Sequence, residues 1–217
     1  MNGTFTPLRI ESSLHVECGD PHRTVVRAWR GSALRLEPEG THFLYALAGG
    51  STLETQAGRF PLGAGMYATL LEGMLDGGGA GLVVTQRVAR GMFQLGGPIE
   101  PQGRLRYIDG CTDSLLLAPP VRGDACLNHL HIPPGTRQTR HTHPSVRVGV
   151  IARGRGRCLT PGGEHALEPE LAFVIAADAP HSFFTDEDAL DVVVYHPDTD
   201  TGPTHEDHPM LNKTIVG

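Results

Sequence analysis

Apolar positions along this chain come in short runs cut by Gly, Pro or acidic turns, and no long stretch keeps a 3.6-residue period. That pattern predicts strands at 25–30, 33–37, 41–49, 51–56, 65–73 and 81–89. A Gly/Pro-rich passage, 91–105, reads as a linker. Beyond it the theme returns, with strands predicted at 114–118, 125–132, 146–153, 156–160, 171–176, 181–185 and 189–196. Two successive sets of short strands predict an all-β chain in two units, 1–100 and 101–217. Small antiparallel barrels and jelly rolls protect their sheet edges and leave an interior for a ligand. The tail, 196–217, is polar with no strand pattern and is expected to pack over a barrel or a dimer contact, or else to fray.

Composition narrows the function. A formal charge of -6 and the absence of a basic run argue against a nucleic-acid surface. No segment approaches the ~20 apolar residues of a membrane span. The opening MNGTFTPLRIESS lacks the positive patch and apolar core of a secretory signal. Cys18, Cys111, Cys126 and Cys158 are widely spaced without a C-x-x-C, as expected of free thiols in a reducing cytoplasm. A homodimer is expected only on the ground that small barrels gain from covered sheet edges.

The candidate chemistry lies in GTRQTRHTHPSVRVGVIARG, 135–154. In an extended strand, residues two apart share a face, so His141 and His143 can close on one metal ion. His181, in APHSFF, offers a third imidazole. Isolated histidines are usually just hydrogen-bonded, but three at this spacing in a strand-rich chain point to a metal. Three protein ligands leave open coordination positions, as in catalytic sites, whereas structural zinc sites are filled.

These residues carry a family resemblance. Gly135, His141, His143 and Gly154 follow G-x5-H-x-H-x3-E-x6-G, and His181 follows as the second-motif histidine, a pattern that resembles the cupin superfamily. Two positions depart: Arg147 stands where Glu is usual, and Ala176-Ala177-Asp178 where P-x-G is usual. The first half resembles a worn cupin unit that kept only His42 near the ligand positions. The resemblance implies a bicupin of two jelly-roll-like antiparallel β-barrels, with a divalent metal on His141, His143 and His181. Three-histidine cupins without the carboxylate include gentisate-type, diketone and thiol dioxygenases. The pattern therefore implies Fe(II) first, with Zn, Ni, Mn or Cu also compatible, and an oxidoreductase acting on a small carboxylate or enol. A redox-neutral isomerase, cyclase or lyase is the alternative, and a non-catalytic ligand- or metal-sensing cupin is the third reading.

Arg147 is the candidate catalytic residue. In an unbroken strand it shares parity with the histidines, and a substrate anion between it and the metal would satisfy both charges. Alternatively Pro144 shifts the register and turns Arg147 outward. His129 and His131 form a second H-x-H whose face periodicity does not choose; surface or interface positions are expected. Tyr107, Tyr195, His196, His205 and His208 line the pocket only if the tail folds back. Cys158 is expected as a buried thiol, Trp29 as core, and Asp178 either as a turn residue or as an acceptor for an imidazole N–H.

Overall fold

A computed structural model describes residues 4–88, 91–119, 121 and 123–198. The expected tail contact and His205 and His208 lie outside the described residues. In the first half the strands are β1 Phe5–Arg9, β2 His15–Glu17, β3 Thr24–Arg30, β4 Leu34–Leu36, β5 Thr41–Ala48, β6 Ser51–Thr55, β7 Gly58–Leu62, β8 Tyr67–Leu70, β9 Gly73–Gly77 and β10 Ala80–Gln86. Then come β11 Gln94–Gly96, β12 Leu105–Arg106, β13 Thr112–Leu117, β14 Cys126–Ile132, β15 Arg147–Gly154, β16 Gly156–Thr160, β17 Gly163–Leu167, β18 Leu171–Ile175, β19 Ser182–Phe184 and β20 Leu190–His196. A single 3-10 turn, Ile108–Gly110, is the only helical element among the described residues, and no helix is long and apolar enough to cross a membrane. The fold is all-β and antiparallel.

Four sheets are present. A large sheet runs β11-β8-β5-β10-β3-β2 and faces a smaller one, β4-β9-β6-β7; the other large sheet runs β1-β18-β15-β20-β14-β13-β12 and faces β17-β16-β19. The ladders do not close into barrels, and each large-plus-small pair is a jelly-roll-like sandwich. Alternation along the strands assigns the faces. Leu44, Ala46, Val83 and Trp29 pack on Leu36, Leu53 and Leu75 inside the first sandwich. Ile151, Phe173, Val192 and Val194 pack on Cys158, Leu167 and Phe183 inside the second. The intervening residues Phe43, Tyr45, Leu82, Val84, Val148, Val150, Val193 and Tyr195 form a third core, where the two large sheets meet. Phe43 and Tyr195 touch across that seam with ring centroids 5.2 Å apart. Central strands are thus buried on both faces, which is why GLVV and VVVY read as unbroken apolar runs.

Three features depart from the strand pattern read in the sequence. β1 pairs with β18 in the second-half sheet, Phe5 opposite Ile175, and covers an edge that would otherwise present unpaired backbone. The passage 91–105 gives each large sheet an edge strand, β11 on β8 and β12 on β13. β7 and β17 are half-exposed outer hairpin strands of five residues, each opening on glycine and a charged residue, so their apolar signal is weak.

Candidate metal centre

His141, His143 and His181 come together at the open end of the second sandwich. The sequence leaves open whether the H-x-H strand runs unbroken into Arg147 or shifts at Pro144; in the structure β15 begins only at Arg147, after Pro144. An isolated two-residue bridge does the positioning instead. His141 N donates to His181 O and His181 N to His141 O, both at 3.0 Å, and Asp178 N donates to His143 O at 2.7 Å. These bonds clamp the two motif loops together through main chain alone. Ring centroids lie 5.0 Å (His141–His143), 4.5 Å (His141–His181) and 5.2 Å (His143–His181) apart. One candidate ligand atom from each ring falls within 4.8 Å of the others.

The tautomers suit a metal. His141 Nδ1 lies 2.9 Å from Thr139 O, and His181 Nδ1 lies 2.9 Å from Ala179 O. A carbonyl only accepts, so each Nδ1 carries the proton and each Nε2 keeps its lone pair. Asp178, an exposed turn residue at φ 56°, therefore does not fix the tautomer, and the Ala179 carbonyl does. His181 is 1% exposed and its Nε2 is buried without a partner, an acceptor that a metal ion would satisfy. Burial, with the Arg147 charge and the neighbouring imidazoles, lowers the pKa of His143 to about 2. Burial also lowers His181 to about 4, against the raising effect of the Ala179 carbonyl. Both rings are neutral near pH 7, the form that ligates.

Sequence reading missed two residues that support this arrangement. Asp109 accepts from Thr139 N at 2.6 Å and Thr139 Oγ1 at 3.1 Å, fixing the carbonyl that holds His141. Buried Gln138 exchanges hydrogen bonds with the Phe183 main chain, tying the first motif to β19. Nothing local in the sequence marks either residue, because both act across long loops.

Arg147 shares its strand face with Gly149 and Ile151, on the inner side of the second sandwich, and is only 6% exposed. Its Nη1 donates to Ser145 Oγ, to Val146 O at 3.1 Å and to Ser145 O at 3.3 Å, while buried Nε has no partner. Its charge helps depress His143, His181 and His196. His196 faces inward from β20, 6.5 Å from His143 between centroids, and burial holds it well below its usual pKa. Tyr195 points the opposite way, into the seam, and so does not line this site. Tyr107 senses both Arg147 and Asp113, and burial pushes its phenol up to about 12. Cys158 is a core thiol pushed up to about 12 by burial. In the first half, His42 Nδ1 bonds Thr85 Oγ1 at 2.8 Å and Nε2 bonds Glu37 O at 2.7 Å, which leaves neither nitrogen for a metal.

Asp113, at the polar start of β13, was not singled out by the sequence. Its Oδ1 is buried without a partner, and burial raises its pKa to about 7 despite a hydrogen bond with Asn128. Between the unfolded carboxyl value near 4 and about 7, the unfolded chain ionises while the folded one stays protonated, so stability falls as pH rises. Asp113→Asn removes this loss: its gain in urea-unfolding free energy should appear above pH ~4 and level off above ~7, at roughly 4 kcal/mol. A variant less stable than the parent at pH 8 would refute the assignment.

Comparison with known proteins bears on the fold. Residues 128–197 match the family model for the cupin domain. No curated protein matches the chain by sequence. Among solved structures, protein Ylba from E. coli superposes with a TM-score of 0.65 at 14% identity, covering 94% of this chain and 95% of its own. The cupin 2 conserved barrel domain protein from Leptotrichia buccalis gives 0.63 at 12% identity, over 88% and 95%. A salicylate 1,2-dioxygenase from Pseudaminobacter salicylatoxidans gives 0.61 at 11% identity, over 80% of this chain and 70% of its own. Residues 128–197 thus resemble a cupin domain, and the chain shares its fold with the cupin 2 conserved barrel domain protein and the salicylate 1,2-dioxygenase.

Proposed function

We propose that this protein is a metal-dependent cupin enzyme of the three-histidine dioxygenase type, acting on a small anionic carboxylate or enol. The observation that carries the reading is the ligand set: three imidazoles converge, with Nε2 lone pairs kept free on His141 and His181 and no carboxylate in the cluster among the described residues. A ferrous ion held by His141, His143 and His181 would supply open coordination positions and one-electron chemistry toward dioxygen; Zn, Ni, Mn and Cu also accept such ligands. The fold shared with salicylate 1,2-dioxygenase supports the reading at the level of architecture alone.

The chain's own residues then divide the work. Arg147 binds the substrate anion through its buried guanidinium, whose Nε–H awaits an acceptor. Burial strengthens that ion pair by limiting solvent screening. The Thr139 and Ala179 carbonyls hold His141 and His181 in the ligating tautomer. Each half is read as one cupin unit, 1–100 worn and 101–217 carrying the metal, in a cytoplasmic homodimer whose four cysteines stay free.

Oxygen uptake by anaerobically purified, iron-loaded protein should rise when salicylate or gentisate is added. Arg147→Leu should retain metal yet lower kcat/KM at least ~100-fold, about 2.7 kcal/mol, with Arg147→Lys recovering part of the loss. Turnover that proceeds without dioxygen would replace the dioxygenase with a redox-neutral enzyme. Unchanged kcat/KM in Arg147→Leu would remove Arg147 from the site.

A further inference from the structure

We infer that Asp109, on the connection between the two halves, is the positioning residue that makes His141 a metal ligand. The inference rests on the three-histidine reading of the site and adds what orders one of its rim rings. The three rings are not supported alike. His181 is held by burial and by the Ala179 carbonyl. His141 is only half-buried, and its one side-chain hydrogen bond runs from Nδ1 to Thr139 O at 2.9 Å. Which imidazole nitrogen carries the proton is set by the bond the other makes. Freed from that carbonyl, the ring samples both tautomers, and part of that population has no Nε2 lone pair to offer.

Thr139 is itself exposed, so its carbonyl stays in place only if the residue is anchored. Asp109 grips it twice: Oδ2 accepts from Thr139 N at 2.6 Å and Oδ1 from Thr139 Oγ1 at 3.1 Å. Both bonds are charge-assisted, and together they fix the orientation of the residue behind His141.

The backbone at Asp109 is an independent observation. It stands at φ 54° and ψ 33°, the left-handed region that residues with a Cβ rarely adopt. Main-chain bonds hold it there, from Tyr107 N to Cys111 O at 2.9 Å and from Cys111 N to Ile108 O at 3.0 Å. Glycine would suit such a turn better, but glycine has nothing to reach Thr139. Asp109 and Thr139 are both exposed, and exposed hydrogen bonds add little to stability. Strain kept where it stabilises the fold so little is the pattern of a functional contact.

Asp109 lies 30 positions before Thr139 and outside the segment 128–197 that resembles a cupin domain. The connection that carries it is pinned to both halves. Ile99 N donates to Gly65 O at 3.2 Å in the first; Gly103 N donates to Thr112 Oγ1 and Arg104 N to Ser114 Oγ, each at 2.9 Å, in the second. The first half supplies none of the three histidines, yet through this connection it helps to place one.

Two measurements on the full-length protein test the inference: zinc titration against a chromophoric chelator, and ¹⁵N signals of labelled histidine in the metal-free protein in mildly alkaline buffer. Asp109→Gly relieves the left-handed backbone while removing the carboxylate. It should melt close to the parent yet bind zinc at least ~10-fold more weakly. Its His141 signals should move from the Nδ1–H pattern toward a mixture of tautomers. Asp109→Asn, whose side-chain oxygen can still accept from Thr139 N, should recover part of the affinity. Thr139→Val, which loses only the hydroxyl bond, should lose less than Asp109→Gly. Parent-like zinc affinity in Asp109→Gly, a His141 ring still wholly Nδ1–H in that variant, or no recovery in Asp109→Asn would each overturn the inference. Failure of the ligand set reads differently: zinc affinity unchanged in His141→Ala would discard the three-histidine reading, whereas the His141 tautomer is read without metal.

Discussion

His181→Ala should reduce bound metal from near one ion per chain to near none while leaving the chain folded. The retained fold follows from how the site is built. The bonds that join the two motif loops run between the main chains of residues 141 and 181, so truncating the side chain leaves them in place. The lost metal follows from the orphan Nε2: His181 is the most buried of the three rings, and two remaining imidazoles at the rim make an incomplete site. Added metal at 100 times its dissociation constant should stabilise the parent by about 2.7 kcal/mol and leave the variant unmoved. Elemental analysis of anaerobically purified protein, paired with thermal melts with and without metal, reads both effects. Metal that persists at full stoichiometry in a folded His181→Ala protein would show that the ligand set is wrong.

Gly154→Ala should be the costliest single-methyl change in the second half of the chain. Gly154 sits at φ +77°, and a Cβ there would lie 1.8 Å from Ala189 O and 2.8 Å from Ala189 C. Both atoms are main chain at the entry to β20, so neither can rotate away. The left-handed backbone alone costs roughly 1–2 kcal/mol, and displacing β20 brings the total to about 3 kcal/mol or more. β20 is hydrogen-bonded to both β14 and β15, so the shift is felt across the sheet that carries Arg147 and His196. Gly135→Ala is the matched control: its φ is +73°, but nothing lies within 4 Å of the added methyl. That variant should lose only the backbone share, ~1–2 kcal/mol. Urea unfolding of the two proteins decides the matter, and equal losses would show that the collision at Ala189 is relieved cheaply.

Both motif glycines were legible as a spacing, but their inequality was not, because Ala189 approaches Gly154 from 35 positions further along the chain. The same holds for Arg147. Its parity with the histidines was readable, yet β15 is apolar on both faces, Val148 and Val150 toward the seam and Ile151 inward. A strand buried on both sides has no polar face to show which way an odd residue points.

The sequence by itself determined the all-β class, most of the strands and the three histidines that converge. These depend on local quantities: a two-residue alternation, turn residues at fixed places, and donors whose spacing within a short segment limits where they can go. Tertiary structure decided which face of each doubly buried strand is the interior, that β1 completes the second-half sheet, and that Asp109 fixes the carbonyl behind His141. It also decided that one carboxyl oxygen of Asp113 is buried without a partner and that His129 and His131 belong to an Asp191 network at the seam. Each of these is a pairing or a desolvation imposed by residues remote in sequence, and a side chain's chemistry carries no record of which remote neighbour will remove its water.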